Sequence, residues 1–491
     1  MITYPDGGNL IETIEEIPTL PDNIDKLIID FETTSQNDKV NSLNPWKNCE
    51  VLGVAFNYDS SPVYYYPVRQ RNPSDLNRNL PIDAANRLVE QLISRSKTWV
   101  NHNVKYDAHV AANSAHVNIL DYPITLMDTV TQAKLVDSDE FNYSLDAVAL
   151  RLLGIEIGEY AYKFKPYLYH PGGNIKCKDY GVVPLDFMAP YACQDVITVQ
   201  KLHEHLNKRL LCHRVWETEQ ALTKILFDME QNGLLIDGVR AFKDMWDVIP
   251  NYMSVLKKEI HDLTGKWVEP NKAADCYDLL IDYYRLPVVE YTEGGKNKKS
   301  LEPSFGKVAI KAYLEMPGDH VRVVELIGEY RKVHKLRTGF IAPYLNLFDD
   351  KIKLHPQANQ CVRTGRLSYN TPNMQQLPKE AKEYILAEPG RVIIEFDLKQ
   401  IEYRIIAHYI KNERLLTEYN NNPEADFHDV TARFCGISRD AAKTMNFMVS
   451  FGGGKGKTVL TLRASLTSDD LPEGESFDDY CERRGLEIYE K

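Results

Sequence analysis

Two carboxylates separated by one residue stand at the end of the first apolar segment. Asp30 and Glu32 close the run at 24–31 (IDKLIIDF), which predicts a short buried strand. Because residues two apart on a strand point to the same face, the two carboxylates would share one spot. Like charges repel unless a cation lies between them, and Mg²⁺ accepts carboxylate oxygens while leaving room for a phosphate. A solvated strand end is the simpler interpretation of this pair taken alone.

Two further segments combine polar and acidic residues at a spacing of four. Asn103 and Asp107 lie in NHNVKYD, and Tyr191 and Asp195 lie in YACQD beside a helical pattern. A spacing of four places both members of a pair on one helix face. The N-terminal region therefore contains three acidic motifs, and their order supports a common site more strongly than any one motif does.

The trio D-x-E, N-x-x-x-D and Y-x-x-x-D resembles the proofreading 3′→5′ exonuclease domain of the DnaQ-like, ribonuclease H-type class. The resemblance covers about residues 20–205. It implies hydrolysis of DNA by two metal ions that clamp the attacking and leaving oxygens. The implied roles are metal binding by Asp30, Glu32, Asp107 and Asp195, orientation of the attacking water by Tyr191, and DNA binding by Asn103. A structural remnant that has lost its activity is the alternative.

The C-terminal half carries a row of cationic and aromatic residues. Arg439, Lys443, Phe447 and Phe451 recur at four-residue steps, hence along one helix face. Two cations followed by two aromatics suit a triphosphate at one end and a base and sugar at the other. A solvated helix face is the simpler interpretation of this row by itself.

A carboxylate upstream of this row favours a nucleotide site over a solvated helix face. Asp397 closes the apolar run at 391–397 (RVIIEFD), which predicts a strand followed by a helix from about Gln400. A carboxylate at such a strand end can hold Mg²⁺ beside a substrate phosphate. The sequence therefore predicts a nucleotide site in this half of the chain.

Three segments of this half resemble the motifs of family A DNA polymerases, the DNA polymerase I type. DLKQIEYR (397–404) is similar to motif A, RDAAKTMNFMVSFG (439–452) to motif B, and TGRLS (364–368) to the element upstream of them. The resemblance runs from about 206 to 463. It implies metal binding by Asp397, nucleotide binding by Glu402, His428, Arg439, Lys443, Phe447 and Phe451, and primer–template contacts by Arg366, Gln375 and Arg404.

Cofactors and partners are implied by the same resemblance. It implies two Mg²⁺ ions in each active site, with Mn²⁺ as a substitute, and primer–template DNA and deoxynucleoside triphosphates as partners. The family's third polymerase motif, an HDE-type turn with a second metal-binding Asp, does not follow motif B in this sequence. We therefore expect the N-terminal part of a split or truncated enzyme, completed by a separately encoded C-terminal polymerase fragment.

Three functions stay open at this point. The first is DNA-directed DNA polymerisation with 3′→5′ proofreading in DNA replication. The second is a stand-alone 3′→5′ DNA exonuclease with a polymerase-like DNA-binding half, and the third is a non-catalytic primer–template binding subunit. The compact arrangement resembles phage polymerases, which predicts viral DNA replication in the cytoplasm of a bacterial host.

The elements that must position these residues divide into three predicted parts. Strands followed by helices over 1–205 predict an α/β domain, and the resemblance implies that it is a ribonuclease H-like exonuclease domain. The resemblance also implies that an α+β polymerase domain follows, with a helical thumb and connecting helices over 206–355 and a partial palm and fingers over 356–491, truncated before the third motif.

Charge is distributed unevenly along the 491 residues. The net charge of −12 divides into −10 over 1–205, +4 over 206–463 and −6 over 464–491, so the middle of the chain can attract a polyanion. No apolar run approaches the roughly 18 residues that a membrane span needs, and the acidic N-terminus argues against an export signal. Eight scattered cysteines without a C-x-x-C pair argue against a disulfide framework.

Overall fold

The structure is a computed structural model that describes residues 1–5, 7–35, 44–47, 49–157, 159–170, 173–174, 177, 179–292, 302–411, 413–450, 452–456, 458–459 and 477–490. It comprises two compact units, Met1–Val392 and Ile393–Lys491. Phe451, the last member of the cationic and aromatic row, lies outside the described residues, so its predicted role in nucleotide binding stays a prediction. The predicted boundaries at 205 and 355 also stay predictions.

A sheet forms the centre of the N-terminal region. The strand Ile24–Ser35 lies inside it, antiparallel to Cys49–Tyr58 and parallel to Ser96–Asn101. Its side chains alternate between two cores, with Leu27 in one and Ile28 in the other, as the period of a strand requires. Across the described part of the chain the sheet has seven strands, in the order Ile2–Thr3, Gly8–Leu10, Val63–Pro67, Cys49–Tyr58, Ile24–Ser35, Ser96–Asn101 and Thr125–Asp128.

Helices cover both faces of this sheet and confirm the predicted α/β fold. Ile82–Arg95 and Val104–Ser114 contribute to the core on one face, and Glu159–Leu168 and Leu185–Asn207 contribute to the core on the other. Two shorter helices, Thr129–Val136 and Leu145–Leu153, complete the region. The strand that carries Asp30 and Glu32 is therefore held between two helical layers.

A mainly helical region with its own core comes next in the same unit. The long helix His213–Asn232 ends at Gly233, whose φ of 63° with ψ of −172° is a backbone conformation that glycine adopts far more readily than other residues. The further helices are Gly238–Lys243, Ile249–Thr264, Ala273–Cys276, Lys307–Glu315, Val321–Leu336, Ala342–Leu347 and Lys379–Lys382.

Short strands join the ends of these helices. Leu234–Ile236 pairs with Lys353–Leu354 and with Ile385–Leu386, and Glu290–Tyr291 pairs with Pro303–Ser304. A hairpin of Gln357–Asn359 and Ser368–Asn370 presents the TGRLS segment in its loop.

The second unit is helical in its described residues. Its helices are Ile401–Ile410, Glu413–Asn421, Phe427–Cys435, Arg439–Ser450 and Phe477–Glu490. The predicted helices after Gln400 and over the cationic and aromatic row are confirmed. None of the helices in the described part of the chain combines the length and hydrophobicity that crossing a membrane requires.

The predicted strand at 391–397 is wrong. Residues 391–398 form neither a strand nor a helix, and Ile394 and Phe396 are 76% and 86% exposed. A strand exists only through hydrogen bonds to a neighbour, and no described segment pairs with this one. The apolar pattern is present, but its partner is not among the described residues.

The helix His213–Asn232 packs into the core of the sheet region as well as leading into the helical region. Phe227 on this helix is fully buried in the sheet core, and its ring stacks on His109 with centroids 4.5 Å apart. We expect Phe227→Ala to lower the free energy of unfolding by about 3–5 kcal/mol, because it leaves a large cavity. Urea unfolding followed by circular dichroism measures this. Phe242→Ala, at a residue that is 62% exposed, is the control, and equal losses in both variants would contradict the packing.

Candidate active sites

Three carboxylates converge where the central strand meets the last helix of the sheet region. Asp30 and Glu32 lie on the strand Ile24–Ser35, and Asp195 lies on the helix Leu185–Asn207. Each side chain offers an oxygen atom, and these atoms all lie within 4.8 Å of one another. The pairing with Cys49–Tyr58 changes register between Glu32 and Thr33, so the strand is irregular just beyond the carboxylates.

The fourth predicted carboxylate is bonded to the same strand. Asp107 Oδ1 accepts from the backbone N–H of Phe31, between the two strand carboxylates, at 3.0 Å. Its Oδ2 accepts from the Asn101 amide at 2.7 Å, and that amide also donates to the backbone oxygen of Ile29 at 2.8 Å. The structure therefore brings all four predicted carboxylates together. Asn101 was missed because its role depends on the parallel pairing of its strand, which a local pattern does not reveal.

Burial and the charges of neighbouring carboxylates raise the pKa values of this group. Burial, followed by the charges of Asp30, Asp195 and Asp107, raises the pKa of Glu32. Burial raises the pKa of Asp30 to about 6, and burial together with the Asp30 charge raises the pKa values of Asp107 and Asp195. The positive charge of a divalent cation among these oxygens would offset their mutual repulsion, so the donor set fits a hard metal ion.

Tyr191 lies one helical turn before Asp195. Its hydroxyl is hydrogen-bonded to the Asp195 carboxylate, whose charge, together with burial, raises the pKa of the phenol. Its ring packs edge-on against Phe164 with centroids 5.2 Å apart. The hydroxyl is therefore fixed beside the carboxylates and keeps its proton at neutral pH.

Asn103 lies outside the helix that carries Asp107. It is the residue before Val104–Ser114 and has a left-handed φ of 65°, so the two residues do not share a helix face as the spacing predicts. Its N–H donates to Asp128 Oδ1 at 3.0 Å, and Asp128 also caps the helix Thr129–Val136. Asp128 was missed because its only local signal is a common capping pattern.

A cavity of about 380 Å³ in the second unit collects the residues of the cationic and aromatic row. Gln400, whose φ is 53°, begins the helix that carries Glu402, and Asp397 comes shortly before it. The helix Arg439–Ser450 supplies the opposite side. The predicted residues that line the cavity are Asp397, Glu402, His428, Arg439, Lys443 and Phe447.

His428 occupies the interior of this cavity wall. It is 2% exposed, and burial lowers its pKa. Its Nδ1 accepts from the Asn446 amide at 3.0 Å, and its ring lies 5.6 Å from that of Phe447. A neutral imidazole that accepts at Nδ1 carries its proton on Nε2, so His428 is a hydrogen-bond donor at that atom.

Asp426, which sequence reasoning missed, joins three parts of the cavity. Its Oδ1 caps the helix Phe427–Cys435 and accepts from the Gln400 amide, and its Oδ2 accepts from Arg439 at 2.6 Å. Although burial alone would raise it, the bonds from Arg439, the helix N–H groups and Gln400 lower the pKa of Asp426 to about 2. The carboxylate is therefore charged at all working pH values and holds the Arg439 guanidinium at the cavity.

The three residues predicted to contact primer–template lie outside this cavity lining. Arg366 is exposed in the hairpin loop, and Gln375 donates to the backbone oxygen of Leu367 in that loop at 2.8 Å. The Arg404 guanidinium instead bonds the backbone oxygen of Lys399 at 3.0 Å and covers the Tyr419 ring. Arg404 therefore supports the start of its own helix.

Comparisons with known protein families match both regions. Residues 239–469 match the family described as DNA polymerase family A, and residues 51–211 match a 3′-5′ exonuclease family. The exonuclease match begins after Asp30 and Glu32, which the folded strand brings to the rest of the site.

Relatives and a solved structure extend the likeness along the chain. A DNA polymerase DpoZ of Salmonella phage PMBT28 is 28% identical over 91% of this chain and 72% of its own length. A DNA polymerase I of Pseudomonas aeruginosa is 25% identical over 87% of this chain and 46% of its own length. The POL domain of Pol1 from M. smegmatis, solved with DNA primer-template and dNTP, superposes with a TM-score of 0.63 at 16% identity, over 96% of this chain and 74% of that one.

Burial of the Asp30 carboxylate predicts a pH-dependent cost to stability. Because burial disfavours the charged form, the Asp30 pKa of about 6 lies above its ordinary 3.8, so stability present below about pH 4 is lost as the pH rises through about 6. At pH 7.5 in EDTA we expect Asp30→Asn to raise the free energy of unfolding by up to about 3 kcal/mol. Thermal unfolding at pH 4.5 and 7.5 measures this. Asp121→Asn, at an exposed position, is the control, and the same pH response in both variants would contradict the predicted cost of burying the Asp30 charge.

Proposed function

We propose that this chain, which matches the family A DNA polymerases and a 3′-5′ exonuclease family, uses the residues assembled above for both activities. Removal of nucleotides from DNA 3′ ends would occur at the four carboxylates, and deoxynucleoside triphosphates would bind in the cavity of the second unit. The observation that carries the proposal is the convergence of Asp30, Glu32 and Asp195 within 4.8 Å, with Asp107 bonded to the same strand.

The carboxylate donors suit two Mg²⁺ ions, with Mn²⁺ as a substitute. Asp30, Glu32, Asp107 and Asp195 would hold them, and bound ions supply a hydroxide nucleophile and stabilise the leaving oxygen of a phosphodiester. The raised pKa values of these side chains support this assignment, because four carboxylates in one place need positive charge to stay ionised together.

The other residues of this site would position DNA and water. The Tyr191 hydroxyl, held against Asp195, would orient the attacking water towards the terminal phosphate. Asn103 would bind the strand from its place at the edge of a polar cavity of about 220 Å³. Asp128 supports this role, because it fixes the Asn103 backbone in its left-handed conformation.

The exonuclease assignment is tested by removing one metal-binding carboxylate. We expect Asp30→Ala to lower the rate of 3′→5′ degradation of single-stranded DNA in Mg²⁺ by several orders of magnitude, because the site loses a carboxylate that the two metal ions need. Degradation is followed on a 5′-labelled oligonucleotide. Asp121→Ala is the control at an exposed carboxylate and should keep the wild-type rate. Near-full activity of Asp30→Ala would show that hydrolysis occurs elsewhere.

In the second unit the proposed roles correspond to the two ends of the cavity. Arg439 and Lys443 would bind the triphosphate, with His428 as a further donor, and Phe447 would pack on the sugar and base. Glu402 would crowd the 2′ position and discriminate against ribonucleotides. Charge-assisted contacts from fixed cations are the strongest available to phosphate oxygens, and Asp426 keeps Arg439 in place for them.

Primer–template DNA would be bound outside the cavity. Arg366 and Gln375 are the proposed contacts, and the bond from Gln375 to Leu367, the residue after Arg366 in the hairpin loop, supports a shared role. Arg404 is the proposed DNA contact of the second unit, where its guanidinium bonds the backbone oxygen of Lys399. The similarity to phage polymerases supports replication of viral DNA in the cytoplasm of a bacterial host as the setting.

A separately encoded polymerase fragment is proposed as a further partner. The support is the extended segment 391–398, whose apolar side chains Ile393, Ile394, Phe396 and Leu398 are between 60% and 86% exposed. An apolar segment of this kind is completed by pairing with strands of a partner, which would cover its side chains. The same fragment would supply a second metal-binding carboxylate beside Asp397.

Nucleotide binding by the second unit can be measured without DNA synthesis. We expect Lys443→Ala to weaken dATP binding about tenfold or more in Mg²⁺, because a charge-assisted contact to the triphosphate is lost. Equilibrium dialysis with labelled dATP measures the dissociation constant. Lys411→Ala, at an exposed position outside the cavity, should bind as the wild type does. Equal affinities of wild type and Lys443→Ala would contradict the assignment of the cavity.

A further inference from the structure

The buried carboxylate of Glu230 joins the helix Val104–Ser114 to the hairpin strand Gln357–Asn359. Glu230, on the helix His213–Asn232, is 3% exposed. Its Oε2 bonds His109 Nε2 at 2.7 Å, and its Oε1 accepts from the Ala358 N–H at 2.6 Å and from the Lys105 ammonium. Three donors from two other segments therefore point at one carboxylate.

Two of these donors come from the helix that carries a proposed metal ligand. Lys105 and His109 both lie on Val104–Ser114, two residues before and two residues after Asp107. Lys105 also donates to the backbone oxygen of Ala358 at 2.5 Å. The helix therefore presents Asp107 to the carboxylate cluster, while its other contacts hold it to Glu230.

Aromatic packing encloses this ion pair. Trp46 contacts the His109 ring with centroids 4.4 Å apart and stacks on His355 at 4.5 Å, and its Nε1 donates to Gln231 at 3.0 Å. His355 Nδ1 in turn bonds the backbone oxygen of Glu230 at 2.8 Å. The bonds to Glu230, together with this ring packing, join the three segments.

Glu230 belongs to neither proposed active site, but its bonds to Lys105 and His109 hold the helix that carries Asp107. Asp107 keeps its place through bonds of 2.7 and 3.0 Å, so a small rotation of its helix would break them. Displacements of about 1 Å at a catalytic group can cost about a hundredfold in rate.

We propose that Glu230 is a positioning residue for the exonuclease: by holding Lys105 and His109 it sets the orientation of the helix that presents Asp107. The proposal rests on the proposed exonuclease function. It makes the nuclease dependent on a helix beyond the predicted boundary at 205, and through Ala358 on the hairpin whose loop contains Arg366.

The test replaces the carboxylate with an amide of the same shape. Glu230→Gln keeps the shape of the side chain but removes the negative charge that the Lys105 ammonium and His109 face, so the charge-assisted bonds are weakened. We expect kcat on single-stranded DNA in Mg²⁺ to fall about tenfold with little change in KM. In the metal-free full chain, hydrogen exchange measured by mass spectrometry should be faster in the 104–114 amides than in the wild type. Glu217→Gln is the matched control, since it makes the same change at an exposed position of the same helix.

A double variant separates positioning from general stability. Glu230→Gln alone leaves the Lys105 charge buried without its partner, whereas Lys105→Met with Glu230→Gln removes both charges and should recover most of the thermal stability. Positioning predicts that kcat and the protection of residues 104–114 stay low in the double variant. Recovery of kcat together with stability would overturn the proposal, as would wild-type kcat and exchange in Glu230→Gln.

The same experiments distinguish failure of this proposal from failure of the exonuclease assignment. If Asp30→Ala abolishes degradation and Glu230→Gln matches Glu217→Gln, the site is correct and the positioning role is wrong. If Asp30→Ala keeps its activity, the site itself is wrong. In that case the exchange measurement still shows whether Glu230 holds the helix, because it requires neither metal nor DNA.

Discussion

The need to hold four carboxylates together, Asp107 buried and the other three half-buried, is the constraint on which the N-terminal architecture depends. Asp30 and Glu32 are fixed by a strand paired on both sides, Asp195 by a long helix on one face of the sheet, and Asp107 by a helix on the other. The four side chains come from one strand and two helices, so the packing of these elements against one another has to hold the like charges together. Two cores on opposite faces of one sheet supply the rigidity, and the cost of the arrangement is greatest when no cation is bound.

The second unit has much smaller hydrophobic clusters than the first unit. Its buried clusters are small, centred on residues such as Ala407, Phe427 and Met445. Order at the cavity comes instead from polar links, above all the Asp426 carboxylate that receives bonds from Gln400 and Arg439. The Arg439 guanidinium, for which we propose a role in triphosphate binding, is thus held at the cavity by an internal anion.

Local patterns predicted the features that depend on neighbours in sequence. The strand at Asp30, the helices after Gln400 and Gly233's place at a helix end all result from periodicity and backbone preference, and the three acidic motifs identified residues that do meet in space. The predictions that failed depend on partners distant in sequence. The run at 391–397 has a strand's composition, but a strand needs a neighbour, and none of the described segments pairs with it.

Residues missed by pattern reasoning share a physical property: each acts through bonds between elements. Asn101 links two parallel strands to Asp107, and Glu230 links a helix of one predicted domain to a helix of another across 125 positions of sequence. Neither has a neighbour whose type signals the role. The helix His213–Asn232 begins after the predicted boundary at 205, yet it contacts regions on both sides of that boundary. Phe227 is buried in the core of the sheet region, and Glu230 accepts a hydrogen bond from the Ala358 N–H. If Glu230 positions its partner helix as we propose, the exonuclease region is not an independent module, because the geometry of its proposed metal ligands then depends on the segment that carries the proposed primer-binding loop.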